Sequence, residues 1–126
     1  MDHTNIASVR YMIDDVPAAI AFYTEYLGFT LEIDASPAFA SVVRGPVRLL
    51  LSGTRSSGAR PMHDGSTPAP GGWSRVLVTV TDIEREVARL REAGLTFRND
   101  IVKGVGGSQV LLDDPSGNPV ELFQPA

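Results

Sequence analysis

The stretch SVRYMIDDVPAAIAFYTEYLG, Ser8 to Gly28, changes its apolar period once. Up to Ile13 the residues alternate: Val9, Tyr11 and Ile13 take one face, and Ser8, Arg10 and Met12 the other, as in a half-buried strand. Asp15 then stands as a helix N-cap with Pro17 tolerated in the first turn, while Val16, Ile20, Tyr23 and Leu27 form one apolar stripe. Gly28 marks the stop. The same order returns in SRVLVTVTDIEREVARLREAG, Ser74 to Gly94. Val76, Val78 and Val80 oppose Arg75, Leu77 and Thr79; Asp82, or Thr81 before it, caps a second helix, which ends at Gly94. The pairs Glu86 with Arg89 and Glu84 with Arg85 read as that helix's solvated face.

Working outward, the first helix is followed by three expected strands, Thr30–Ile33, Phe39–Arg44 and Val47–Ser52, broken at Pro37 and Gly45-Pro46. The second is followed by a short strand near Leu95–Arg98, the Gly-rich connection KGVGG, a strand at Gln109–Leu112, a Pro-Ser-Gly-Asn turn and a final strand, Val120–Gln124. KGVGG precedes a strand and not a helix, so it reads as a hairpin connection and not as a phosphate cradle. Each half is strand, helix, three strands. The expected fold is therefore α+β, with two tandem βαβββ modules at 1–52 and 73–126. Between them, GTRSSGARPMHDGSTPAPGG (53–72) is polar and rich in Gly, Pro and Ser. So long a connection reads as a functional flap, a mobile segment, a hinge or a linker without a role.

Composition narrows the function. A chain of 126 residues makes one domain, or two small halves, and can bury a core without metal or disulfide. A net charge of −4 with no basic run argues against nucleic acid or an anionic membrane as partner. Without cysteine there is no disulfide, thiolate nucleophile or Cys-based zinc site. No window approaches the roughly 18 apolar residues of a membrane span. The N-terminus lacks a basic region followed by an apolar one, so a cytoplasmic location is expected.

DDVPAAIAFYTEYLGF (14–29), VTDIEREVARLREAGL (80–95) and DDPSGNPVELFQ (113–124) carry a family resemblance. Together they resemble the vicinal oxygen chelate superfamily, which includes glyoxalase I, extradiol dioxygenases, fosfomycin-resistance enzymes and bleomycin-binding proteins. The resemblance implies a cupped mixed sheet with helices on its outer face. In metal-dependent members, ligands project into the cup from the first and last strands of each module. Carried across position by position, the first-strand ligand, usually His, falls at Ser8, and the first module's last-strand ligand, often Glu, falls near Leu49. The second module's first-strand ligand, usually His, falls at Arg75, or at Ser74 under a one-residue slip; the final Glu falls on Glu121. Glu121 is the only ligand type retained. A first-row divalent cation wants about three or more N, O or S ligands, and an arginine adds fixed positive charge where the cation would sit. No metal or other cofactor is expected. Of the two histidines, His3 precedes the first strand and His63 lies in the long segment beside Asp64, where it reads as solvated.

Without a metal, strand parity lines the cup with Ser8, Arg10, Met12, Leu49 and Leu51 from the first module. Arg75, Leu77, Thr79, Glu121 and Phe123 line it from the second. Phe39, Trp73 and Met62 are candidate walls or lids, and Trp73 otherwise packs beneath the long segment. Arg75 and Glu121 are expected to pair, the arginine replacing the metal as the countercharge. Candidate ligand contacts are thus Arg10, Met12, Phe39, Leu49, Trp73, Arg75, Leu77, Glu121 and Phe123. Catalysis has one candidate, Glu121 as a lone general base beside an arginine, and no Ser-His-Asp set is visible. The resemblance therefore implies a metal-free protein that binds a natural product or drug, similar to the bleomycin-resistance branch and serving antibiotic sequestration or self-resistance. Members of that branch are homodimers that stack aromatic rings on the ligand; Tyr11 and Tyr26 are further aromatic material here. The alternative is an enzyme of the superfamily, either metal-independent through Glu121 and Arg75 or a divalent-metal lyase or dioxygenase.

Overall fold

Capping chemistry sets both helices. The computed structural model describes residues 6–126. The Asp15 carboxylate accepts from the Ala18 amide at 3.1 Å, and α1 runs Val16–Tyr26. Asp82 accepts from the Arg85 amide at 3.1 Å, and α2 runs Ile83–Glu92. Gly28 and Gly94 follow with φ of +72° and +87°, the left-handed conformation that stops a helix.

The strands are β1 (Ser8–Met12), β2 (Thr30–Ala35), β3 (Phe39–Arg44), β4 (Val47–Ser52), β5 (Val76–Thr79), β6 (Val102–Gly104), β7 (Gly107–Asp113) and β8 (Pro119–Pro125). They form two four-stranded sheets with one topology, β1-β4-β3-β2 and β5-β8-β7-β6. In each, the last strand runs parallel to the first and the other neighbours are antiparallel. The chain is thus two βαβββ modules, and it divides into two compact units at Gly71/Gly72.

In the first unit, α1 turns Val16, Ala19, Phe22 and Tyr23 onto the sheet. Ala19 and Phe22 take part of the stripe expected for Ile20, which is half-buried, because Tyr23 centres the contact through edge-on ring packing with Phe22 and Phe29 at 4.9 and 5.5 Å. Strand pairing corrects a second expectation. Leu49 and Leu51 register with Val9 and Tyr11 and are wholly buried, on the side opposite Arg10 and Met12. Arg48, Leu50 and Ser52 are the β4 residues that share the face of Ser8, Arg10 and Met12. Three consecutive leucines (49–51) read equally well in either parity, and a slip of one residue exchanges the faces.

The segment after β4 belongs with the first unit. The buried Gly53 donates its amide to the Ala38 carbonyl at 2.9 Å, and a short 3₁₀ turn at Ser57–Ala59 buries Ala59. The stretch composition marks as a linker is anchored at its start.

In the second unit Val76, Val78, Val110, Leu112, Val120 and Leu122 are buried, as are Ile83, Val87 and Leu90 of α2. The strand expected near Leu95–Arg98 reduces to one bridge, Phe97 to Leu112. Beyond it the Asn99 side chain, not its backbone, accepts from the Leu111 amide at 2.9 Å, and this ends the ladder. The paired strand is β6, whose Gly104 registers with Gly107 across the hairpin expected for KGVGG. Gly107 has φ of +146°, and a Cβ there would run into the Gln124 carbonyl. The following turn is held by Asp114, which accepts from the Ser116 and Asn118 amides, both at 2.9 Å, and delivers β8. Among the described residues no helix is long and apolar enough to cross a membrane.

The face assignment of β4 is measurable. Leu49→Ala should lower unfolding stability by about 3 kcal/mol through cavity formation, and Leu50→Ala by less than half of that. Equal losses in urea denaturation would contradict the register.

Candidate functional site

Each sheet has one face turned from its helix, and each of these faces carries an ion pair. In the second unit the open face holds Leu77, Thr79, Glu121 and Phe123, with Glu121 registered between Leu77 and Leu111. A carboxylate in that apolar row needs a partner. Arg75, one residue before β5, supplies it. Its Nε and Nη2 donate to Glu121 Oε1 at 3.0 and 2.8 Å, and its Nη1 donates to the Trp73 carbonyl at 3.2 Å. The Glu121 side chain keeps 8% exposure and that of Arg75 28%. Both bonds fall on Oε1. No buried side-chain oxygen among the described residues lacks a partner, so Oε2 faces accessible space.

Trp73 does not pack away: it is 69% exposed, with its ring 4.8 Å below the Arg98 guanidinium. Arg98 also donates to Asp113 at 2.6 Å, to the Gly72 carbonyl at 2.8 Å and to the Gly117 carbonyl at 3.0 Å. It joins the start of the unit to the turn before β8. Nothing in the sequence singled out Arg98, because its partners lie on three separate segments.

In the first unit the open face forms a concavity of about 480 Å³, lined by Glu32, Ile33, Phe39, Ser41, Arg48 and Leu50. Arg48 grips Glu32 with two bonds, Nε to Oε1 at 2.9 Å and Nη2 to Oε2 at 3.0 Å, and the Ser41 hydroxyl donates to Oε1 at 2.8 Å. Phe39 lines this space as a wall, while Leu49 lies behind the sheet. Arg10 and Met12 share the open face, registered with Leu50 and Ser52. Glu32, Ser41 and Arg48 were not foreseen. The β2–β3 register shifts between Leu31 and Ile33, and such a bulge leaves no regular alternation to read.

The positions that the resemblance assigns to metal ligands do not suit a cation. Ser8 registers with Arg48; Arg75 occupies the second module's first position and binds the single carboxylate, Glu121. No three His, Cys, Asp or Glu side chains come together among the described residues. His3 lies outside those residues. Asp64 beside His63 is engaged by the Ser66 hydroxyl at 2.7 Å and its amide at 2.9 Å, and these bonds hold its carboxyl below the usual range.

Removing Arg75 strands a nearly buried carboxylate. Arg75→Ala should cost about 2 kcal/mol of stability, discounted for the arginine's partial exposure. Replacing both partners by leucine should restore most of that loss, as chemical denaturation of the single and double variants would show.

The sequence profile of the Glyoxalase/Bleomycin resistance protein/Dioxygenase superfamily matches residues 2–122. The uncharacterized protein YurT of Bacillus subtilis (strain 168) is 26% identical over 94% of this chain and 98% of its own length. Among solved structures, TnmS3, an antibiotic binding protein from Streptomyces sp. CB03234, has a TM-score of 0.73 at 24% identity, covering 100% of this chain and 99% of that one. Lactoylglutathione lyase from Agrobacterium tumefaciens has a TM-score of 0.72 at 20% identity, covering 98% and 96%. A binder and an enzyme share this architecture, so the likeness speaks for fold and not for activity. With two βαβββ modules of one topology and a profile match over nearly its whole length, the chain belongs to the Glyoxalase/Bleomycin resistance protein/Dioxygenase superfamily.

Proposed function

We propose that this protein is a metal-free binder of small molecules, of the bleomycin-resistance type, which takes a natural product or drug and serves sequestration. The observation that carries this reading is Arg75: a guanidinium stands where the resemblance places a metal ligand, and it donates twice to Glu121. A concavity of about 480 Å³ with apolar and polar walls is of the size and composition of a small-molecule site. The antibiotic-binding TnmS3 supports the reading as an example of what the fold accommodates. A homodimeric state belongs to the same proposal, and light scattering of the purified protein tests it.

Glu121 Oε2 favours a second reading, a metal-independent enzyme in which this oxygen takes a proton from the bound molecule. Arg75 argues against it, because two of its N–H groups already engage this carboxylate as a fixed partner.

Two measurements discriminate. Elemental analysis of purified protein should find no stoichiometric divalent metal; one equivalent that disappears in Glu121→Gln would establish a metal enzyme instead. Titration with a panel of polycyclic natural products should change Trp73 fluorescence, with recovery of unaltered compound by mass spectrometry. A converted product would transfer the assignment to the enzyme reading, and no response to any compound would overturn the binder.

A further inference from the structure

The open face of the first sheet carries two arginines in different electrostatic states. Arg48 is neutralised: its planar fork is spent on both oxygens of Glu32. Arg10 is not. Its Nη1 donates to the Ser52 hydroxyl at 2.8 Å, and no salt bridge among the described residues involves it. Yet Arg10 registers with Leu50, which lines the concavity. The charges of Glu32 and Arg48 cancel, so Arg10 is the arginine of this face that has no carboxylate partner among the described residues.

The side chain is also held. Gly58, in the Ser57–Ala59 turn, lies against it so closely that a Cβ would stand 2.7 Å from Arg10 Nη1 and 2.9 Å from its Cδ. The turn is itself fixed: Ala59 is buried, and the Ser56 hydroxyl and amide donate to the Gly53 carbonyl at 2.7 and 3.0 Å. A guanidinium whose rotamer is constrained loses less entropy on binding an anion, and its fork suits the paired oxygens of a carboxylate or phosphate.

We propose that the concavity of the first unit takes a small molecule with a flat apolar body and an anionic group, that Arg10 receives the anion, and that the 57–59 turn positions Arg10. The body lies against Ile33, Phe39 and Leu50, which present apolar surface on one sheet face. Arg48 does not compete for the anion because Glu32 occupies it. The proposal rests on the small-molecule reading above and adds the charge of the ligand and the residue that reads it.

The test is titration of the isotope-labelled full chain with naphthoate, naphthyl phosphate and neutral naphthamide, followed at the amides of Phe39, Ser41 and Leu50. The anions should bind about tenfold or more tightly than the amide, the usual worth of one charge-assisted contact, and the preference should shrink with added salt. Arg10→Gln should abolish the preference while naphthamide binding persists. Gly58→Ala, which keeps the charge but displaces the side chain, should reduce it. Arg10 is exposed, so Arg10→Gln should retain wild-type unfolding; should it not, Gly58→Ala carries the test alone. Equal affinity for anions and amide would overturn the anion class yet leave the binder reading intact. A preference that survives Arg10→Gln would overturn the receptor. Silence at these amides, with Trp73 still responding to polycyclic compounds, would overturn the site but not the binder; silence in both experiments would overturn both.

Discussion

In each module the fourth strand returns to lie parallel to the first, and this pairing decides which side chains are core and which are left open. In the first unit it sets Leu49 and Leu51 beside Val9 and Tyr11, beneath α1. In the second it sets Val120 and Leu122 beside Val76 and Val78, on the buried side with α2's apolar residues. The capped helix carries the chain from the first strand to the far edge of the sheet, and two antiparallel connections bring the last strand back beside the first. The helix covers one side of the sheet, so every residue of opposite parity is left for other work.

On those open sides, charge is balanced within each unit. Glu121, between two leucines, is held by Arg75, and Glu32 by Arg48 and Ser41. Such pairs add little net stability, because the desolvation cost offsets most of the attraction. Their worth is in position. Each fixes a polar group on an apolar surface.

The helices, their caps and their glycine stops were legible in the sequence because capping and periodicity act over a few residues; Asp15, Asp82, Gly28 and Gly94 do what their neighbours imply. Strands β3 and β4 were legible to the residue for the same reason, bounded by Pro37 and Gly45-Pro46. Three features were not. The run Leu49–Leu51 carries no parity of its own, the Leu95–Arg98 strand yields to an Asn99 side chain that takes its hydrogen bond, and the β2 bulge conceals Glu32. In each case the deciding partner is a distant backbone or side-chain group.

By itself the sequence determined the repeated module, an acidic residue within the apolar run of the last strand and an arginine ahead of the second module's first valine. Local rules and position in the repeat suffice for these. Tertiary structure decided the partner of each charge: that two bonds of Arg75 go to one oxygen of Glu121, that Glu32 pairs with Arg48, and that Arg10 lies against Gly58 and donates to Ser52. The physical reason is separation along the chain. Arg75 and Glu121 stand 46 residues apart, and only the closing of the parallel strand brings them within 3 Å.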